Sequence, residues 1–306
     1  MFEIVFLGTS ASAPSLTRNL ASTMVLCGQH RFLIDCGEGT QRQLLRSGLG
    51  FRRLNRILLT HGHLDHILGL GGLISTFSRW EAIDQLQIYG GEWALERVKD
   101  LVFSVVFRGT RPEMEIELIE VSPGVILEED KFTLRAFPVT HRGPGCYGYT
   151  FQERSRRPFL VDKAERLGVP PGPERKELVK GKPITLADGR VVRPEEVLGE
   201  AVPGAKLVYV GDASRIDDLV YEAWEADGLV VEATYLEEEA HLAKRYSHLT
   251  AAQAATLARE AQVKVMYINH VSRRYSEEEV LAEACPVFPH TAVAKDLDRV
   301  EVVKAR

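Results

Sequence analysis

Short apolar runs punctuate this chain, and their periodicity separates strands from helices. Residues 3–7 read as a buried strand, followed by a loop of small residues at 8–14. Residues 24–27 and 31–35 read as a hairpin around Gly28-Gln29. Gln41, Leu44 and Leu45 fall at helical spacing within 37–47. An apolar run from Ile57 predicts a strand ending near Thr60, with a helix from about 65 to 79. A strand at 86–89 and a helix at 92–103 come next, then strands at 116–121, 132–139 and 146–151. The pattern fades over 152–196. It returns as a strand at 206–210, a helix at 215–226 and a strand at 229–231. An alanine-rich helix at 251–261, capped by Thr250, precedes a strand at 264–268. Ser276 caps the acidic helix start Glu277-Glu278-Glu279, and 300–303 predicts a closing strand. No internal repeat is visible.

The faded window changes the charge picture. It holds 11 Lys or Arg against 8 acids, a local +3 in a chain of net charge −5. The negative total argues against a globally basic nucleic-acid binder and leaves room for a local basic patch. Pro170, Pro171 and Pro173 exclude regular helix or strand from 167–173. Long irregular insertions in compact domains are usually functional or disordered.

With 306 residues, 45% hydrophobic and 26% charged, the chain is globular and of a size that one α/β sandwich can fill. No apolar run reaches 18 residues, so no membrane span is expected. Met1-Phe2-Glu3-Ile4 enters a strand at once, unlike a signal peptide. Cys27, Cys36, Cys146 and Cys285 show no paired spacing and read as thiols of a cytoplasmic protein.

The candidate chemistry centres on Leu58-Leu59-Thr60-His61-Gly62-His63-Leu64-Asp65-His66. Imidazole and carboxylate donors together favour zinc or a similar transition metal. His61 and His63 are two apart, so on an extended backbone they point to one side. Gly62 leaves room for a close approach. Asp65 and His66 follow the turn and face the same cavity from another direction. Four donors at two angles exceed the needs of one zinc with an open position, which points to a two-metal site. His141, Asp212 and His270 likewise follow apolar strands directly. Ligands in α/β folds gather at strand ends.

The first stretch resembles the His-x-His-x-Asp-His signature of the metallo-β-lactamase superfamily, whose fold is an αββα sandwich. The resemblance implies one metal on His61, His63, His141 and Asp212, and a second on Asp65, His66, Asp212 and His270. Asp212 would bridge them. Paired metals lower the pKa of a shared water, and Asp65 would accept its proton. The signature does not choose a reaction, because lactamases, glyoxalase-type thioesterases, arylsulfatases and nucleases share it. A ribose 3′ oxygen is a poor leaving group and benefits from a general acid. His248 is the candidate, with Glu232 raising its pKa and fixing its tautomer.

Across nearly the whole chain the resemblance narrows to the ribonuclease Z branch. Phe6-Leu7-Gly8-Thr9, Glu232-Ala233-Thr234, His248-Leu249-Thr250 and His270-Val271-Ser272-Arg273-Arg274-Tyr275 are similar to its boxes. The resemblance implies a zinc-dependent phosphodiesterase that removes 3′ trailers from precursor tRNA, leaving a 3′-hydroxyl. It implies two Zn2+ per subunit, with Mn2+ or Co2+ able to occupy the same donors, and a homodimer. Arg274 would contact phosphate. The 152–196 window would be a flexible arm whose Gly172-Pro173 element grips the tRNA elbow, inserted in a single domain spanning 1–306. Pro14-Ser15-Leu16-Thr17-Arg18-Asn19 resembles the family's Pro-x-Lys-x-Arg-Asn loop, which would make Arg18 a substrate contact. Leu16 stands where a basic residue is common, which leaves cleavage position and CCA discrimination open. An arylsulfatase or small-molecule phosphodiesterase would need neither the arm nor the Glu232–His248 pair. A non-catalytic RNA-binding homologue would show a broken ligand set, whereas every expected ligand is present.

Overall fold

The computed structural model describes residues 1–304. Two compact units form, the smaller being Glu153–Gly204 and the larger built from the chain on either side of it.

The larger unit contains two seven-stranded sheets. The first has the spatial order Arg299–Val302, Phe2–Gly8, Ser22–Cys27, His30–Ile34, Arg56–Leu58, Gln85–Gly90, Glu115–Glu120. The second has the order Thr291–Val293, Met266–Asn269, Gly228–Glu232, Lys206–Tyr209, Tyr147–Glu153, Phe132–Pro138, Gly124–Glu128. Strand alternation assigns the faces. Phe2, Ile4 and Phe6 pack with Phe132, Phe151, Leu207 and Tyr209 of the other sheet. Val5 and Leu7 turn the opposite way, onto Leu44, Leu70, Leu73 and Val98 of helices. On the far side, Val208, Leu229 and Val231 meet Ala254, Leu257 and Ala258 of the helix Ala251–Glu260. The order helix, sheet, sheet, helix is the αββα sandwich expected from the first motif.

Aromatic rings fill the middle layer. Phe32 lies 5.8 Å from Phe132 and 5.3 Å from Phe151, both edge-on. Phe32→Ala is expected to lower unfolding stability by about 3–5 kcal/mol in urea titration, because the rigid sheets cannot collapse onto the void. A loss under about 1 kcal/mol would show that this ring does not join the sheets.

Local signals hold where the interaction is local. Thr250 Oγ1 accepts from Gln253 N at 3.2 Å and Ser276 Oγ from Glu279 N at 3.2 Å. Long-range contacts change other elements. The helix expected at 65–79 divides into Leu64–Ile67 and Gly69–Trp80. Gly69 N donates to the Cys36 carbonyl at 2.9 Å, and Cys36 N donates to the His66 carbonyl at 2.7 Å. A Cβ on Gly69 would lie 2.1 Å from the Gly37 carbonyl oxygen, so only glycine permits this docking. The helix expected at 92–103 ends as Glu92–Lys99 and continues as a π-helical turn, Asp100–Val106. The helix expected at 215–226 shrinks to Leu219–Ala223. Strands Gly124–Glu128 and Thr291–Val293 and the helix Ala240–Tyr246 are short and half-exposed, and left no periodic trace. No helix among the described residues is long and apolar enough to cross a membrane.

In the smaller unit the expected irregular chain is corrected to a folded one. Helices Val161–Arg166, Pro173–Val179 and Pro194–Val197 accompany a hairpin of Ile184–Thr185 with Val191–Val192. Ala164, Val169, Leu178, Val192 and Val197 form its own core. Pro173 and Pro194 sit in first helical turns, where a missing N–H loses no hydrogen bond.

Candidate active site

The site is built at strand ends. Lys206–Tyr209, Gly228–Glu232 and Met266–Asn269 run parallel, so Asp212, Glu232 and His270 emerge on one edge. Arg56–Leu58 leads to His61, and Phe132–Pro138 leads to His141. The donor atoms of His61, His63, His141 and Asp212 lie within 4.8 Å of one another, as do those of Asp65, His66 and His270. Asp212 joins the groups. Its Oδ2 is 3.7 Å from His61 Nε2, 3.7 Å from His141 Nε2 and 3.5 Å from His66 Nε2. Its Oδ1 is 3.5 Å from His270 Nε2.

Each of four imidazoles is held by its outer nitrogen. His61 Nδ1 meets Thr60 Oγ1 at 3.0 Å, and His66 Nδ1 meets Asp35 Oδ2 at 2.8 Å. His141 Nδ1 meets the Ser247 carbonyl at 2.7 Å, and His270 Nδ1 meets Thr234 Oγ1 at 2.9 Å. With Nδ1 spent as a donor, each Nε2 lone pair turns inward, the arrangement that orients metal-binding histidines. Asp35 is fully buried and also accepts from Thr60 N and Thr60 Oγ1, both at 2.8 Å. It therefore positions His61 and His66 together. A Cβ at Gly62 would lie 2.9 Å from Trp93 Cε3, so glycine is what lets the motif pass this ring.

The electrostatics divide the cluster: burial disfavours a charge on His66, but Asp212, Asp35 and Asp65 outweigh it and raise His66 well above its ordinary range. Burial and the neighbouring His66 hold His61 neutral, and burial with the nearby His141 pushes His63 down to about 4. Burial alone would protonate Asp212, but His270, His66 and His61 overcome it and hold the carboxylate ionised. Among the described residues, His66 Nε2, Asp212 Oδ1 and His270 Nε2 are buried without a hydrogen-bond partner. Unpaired buried polar atoms are destabilising. Three of them aimed at one spot fit a cation, and the cluster is a divalent metal site.

Beside it, Glu232 Oε1 lies 2.8 Å from His248 Nδ1 and accepts from Ala213 N at 2.9 Å. Glu232 Oε2 accepts from Thr234 N at 3.1 Å and Thr234 Oγ1 at 2.6 Å. Burial alone would lower the His248 pKa, but the Glu232 carboxylate more than reverses this and holds it at about 9. His248 Nδ1 is also 3.9 Å from Asp212 Oδ2. That nitrogen is committed to Glu232, while the donor atoms of His248, Asp212 and His270 also lie within 4.8 Å of one another. A cavity of about 460 Å³ opens over the cluster, lined among others by His63, Asp65, Asp212 and His248.

Known proteins resemble this chain over nearly its full length. The chain is 46% identical over 302 residues to "Ribonuclease Z" of Bradyrhizobium diazoefficiens, covering 99% of this chain and 100% of the relative. The chain belongs to the ribonuclease Z family. It is also 39% identical over 302 residues to "Ribonuclease Z" of Haloferax volcanii, covering 97% and 94% of the two chains. Human tRNase Z, short form, superposes with a TM-score of 0.67 at 24% identity over 98% of this chain and 99% of that one, a likeness of fold. A family model described as "Anti-Pycsar protein Apyc1" matches residues 2–152.

Other residues suggested by the ribonuclease Z resemblance fall in different places. Arg274 lines the cavity and pairs with Glu239 at 2.8 Å. Arg18 is turned inward, donating from Nη1 to Thr9 Oγ1 at 2.7 Å and to the Ala294 carbonyl at 2.5 Å, and it is not among the cavity-lining residues. Leu16 is fully exposed. Gly172 and Pro173 belong to the smaller unit, where Pro173 opens a helix. Sequence reasoning missed Asp35, Thr234, Arg97, Arg142, Tyr235 and Tyr246. Asp35 ends a strand, as the ligands do, and that shared position was its only available signal.

Proposed function

We infer that the chain is a metal-dependent endoribonuclease that removes 3′ trailers from precursor tRNA and leaves a 3′-hydroxyl. The observation that carries this is full-length kinship with ribonuclease Z at 46% identity. The complete donor cluster and adjoining His248–Glu232 pair agree with it. A small-molecule phosphodiesterase, an arylsulfatase or a non-catalytic RNA binder is the less favoured reading beside that kinship.

Two Zn2+ ions per subunit suit the imidazole-rich donors, with Mn2+ or Co2+ as other occupants. His61, His63, His141 and Asp212 would hold one, and Asp65, His66, Asp212 and His270 the other. Bound there, they supply Lewis acidity and lower the pKa of water. Asp65 Oδ2 accepts from Ser12 N at 3.0 Å, which aims the carboxylate to take the proton of the attacking water. His248, with Nδ1 on Glu232, delivers a proton from Nε2 to the departing ribose oxygen. Arg274, which lines the cavity while paired with Glu239, would contact phosphate. A homodimer in the cytoplasm completes the proposal, and the free cysteines suit a reducing compartment.

Incubation with CCA-less and CCA-containing precursor tRNAs, with end mapping, tests the function. Chelator-sensitive cleavage at the 3′ end, with a 3′-hydroxyl product, is expected. Intact precursors would overturn it.

The smaller unit is proposed to be the tRNA-gripping arm, through Gly172, Pro173 and its basic side chains. Gln152 pairs with Lys206 across neighbouring strands, so a short Gly-Ser link can replace 154–203. The deleted form is expected to lose at least about tenfold in precursor cleavage while still hydrolysing a nitrophenyl phosphodiester. Parallel loss of both activities would reject the arm role.

A further inference from the structure

Two arginines that line the active-site cavity lack a counter-ion among the described residues. Arg97 is half-buried on the helix Glu92–Lys99. Its Nη1 donates to the Gly62 carbonyl at 3.0 Å, between the ligand positions 61 and 63. Its guanidinium stacks 4.8 Å from the Trp93 ring centroid. Trp93 is wedged in turn against both ligand loops. A Cβ would meet the ring at 2.9 Å from Gly62 and at 2.7 Å from Gly143. Arg142 follows His141 directly, is exposed and lines the same cavity. Arg274 differs, since Glu239 already neutralises it.

Guanidinium carries five N–H donors in a planar fork. Arg97 uses one on the protein, and stacking pre-orders the rest, which reduces the entropy lost on binding. An unpaired, half-buried cation held this way is built for an anion, and the fork matches phosphate oxygens. The phosphate being cut belongs over the metal cluster, and its leaving oxygen belongs at His248. Arg97 sits at the 61–63 loop, and Arg142 directly follows His141, whose ring lies 5.1 Å from that of His248.

We propose that Arg97 and Arg142 form a phosphate subsite for the trailer strand, taking the phosphodiester that follows the one cut. The proposal rests on the tRNA-processing reading and names which part of the substrate these residues hold.

The test compares a precursor tRNA carrying a single-nucleotide trailer, which has only the cut phosphate, with one carrying several nucleotides. Arg97→Met keeps the apolar stem on Trp93, and Arg142→Ala removes an exposed side chain, so the second variant decides the matter if the first misfolds. For each, kcat/KM on the longer trailer is expected to fall roughly 10–100-fold. That loss should exceed the loss on the single-nucleotide trailer at least tenfold. The slope of log affinity against log salt should flatten by about 0.7 per arginine on the longer trailer. Equal losses on both substrates would place the arginines at the cut phosphate and overturn the proposal, as would no loss on the longer one. If the parent protein cuts neither precursor, the tRNA reading itself has failed, which is a distinct outcome.

Discussion

Asp212→Ala is expected to reduce precursor cleavage by roughly 10³-fold or more and to lower the metal content per chain. The carboxylate reaches both donor groups, with Oδ2 at 3.5–3.7 Å from His61, His66 and His141 and Oδ1 at 3.5 Å from His270. Among the described residues, no other carboxylate is shared between the two groups in this way. Its removal leaves buried imidazoles without a shared counter-charge, so the site would lose affinity for a divalent ion. Asp212→Asn keeps the volume and should fail nearly as badly, which separates lost charge from lost packing. Elemental analysis of the purified variants, beside steady-state kinetics, reads both effects. An Asp212→Ala protein with the parent's metal content and turnover would remove the basis for a bridging role.

His248→Ala is expected to slow tRNA cleavage by about 10²–10⁴-fold, the range for a lost general acid. Hydrolysis of a nitrophenyl phosphodiester should slow far less, since nitrophenolate leaves without protonation. The split arises because His248 Nδ1 is spent on Glu232 at 2.8 Å, which leaves Nε2 free to protonate the leaving oxygen. A merely structural histidine would depress both substrates alike. Equal losses would therefore assign His248 to packing or ligand positioning.

Much of the His/Asp cluster was legible because its members follow apolar strands. His61, His141, Asp212 and His270 could each be found from a strand ending in a donor, and parallel pairing brings several of those endings to one edge. Arg18 shows the opposite case. Its motif suggested a substrate contact, yet the chain from Lys295 to Asp298 folds back beside it. There Asp296 accepts from Asn19 N and Thr9 Oγ1, and Arg18 turns inward. A closing segment nearly 280 residues away leaves no mark on the loop's own sequence.

By itself the sequence determined the strand and helix periods, the caps at Thr250 and Ser276, and which side chains with donor atoms follow apolar strands. Those properties depend on neighbours within a few positions, so local chemistry suffices. Only the tertiary structure decided that Asp35, Thr60, Ser247 and Thr234 orient the imidazoles, and that Gly69 breaks a helix to dock on Cys36. It also decided that Arg97 stands unpaired over Trp93, and that the proline-rich window folds around its own small core. These depend on hydrogen bonds and packing between distant parts of the chain, whose geometry exists only after the sheets have stacked.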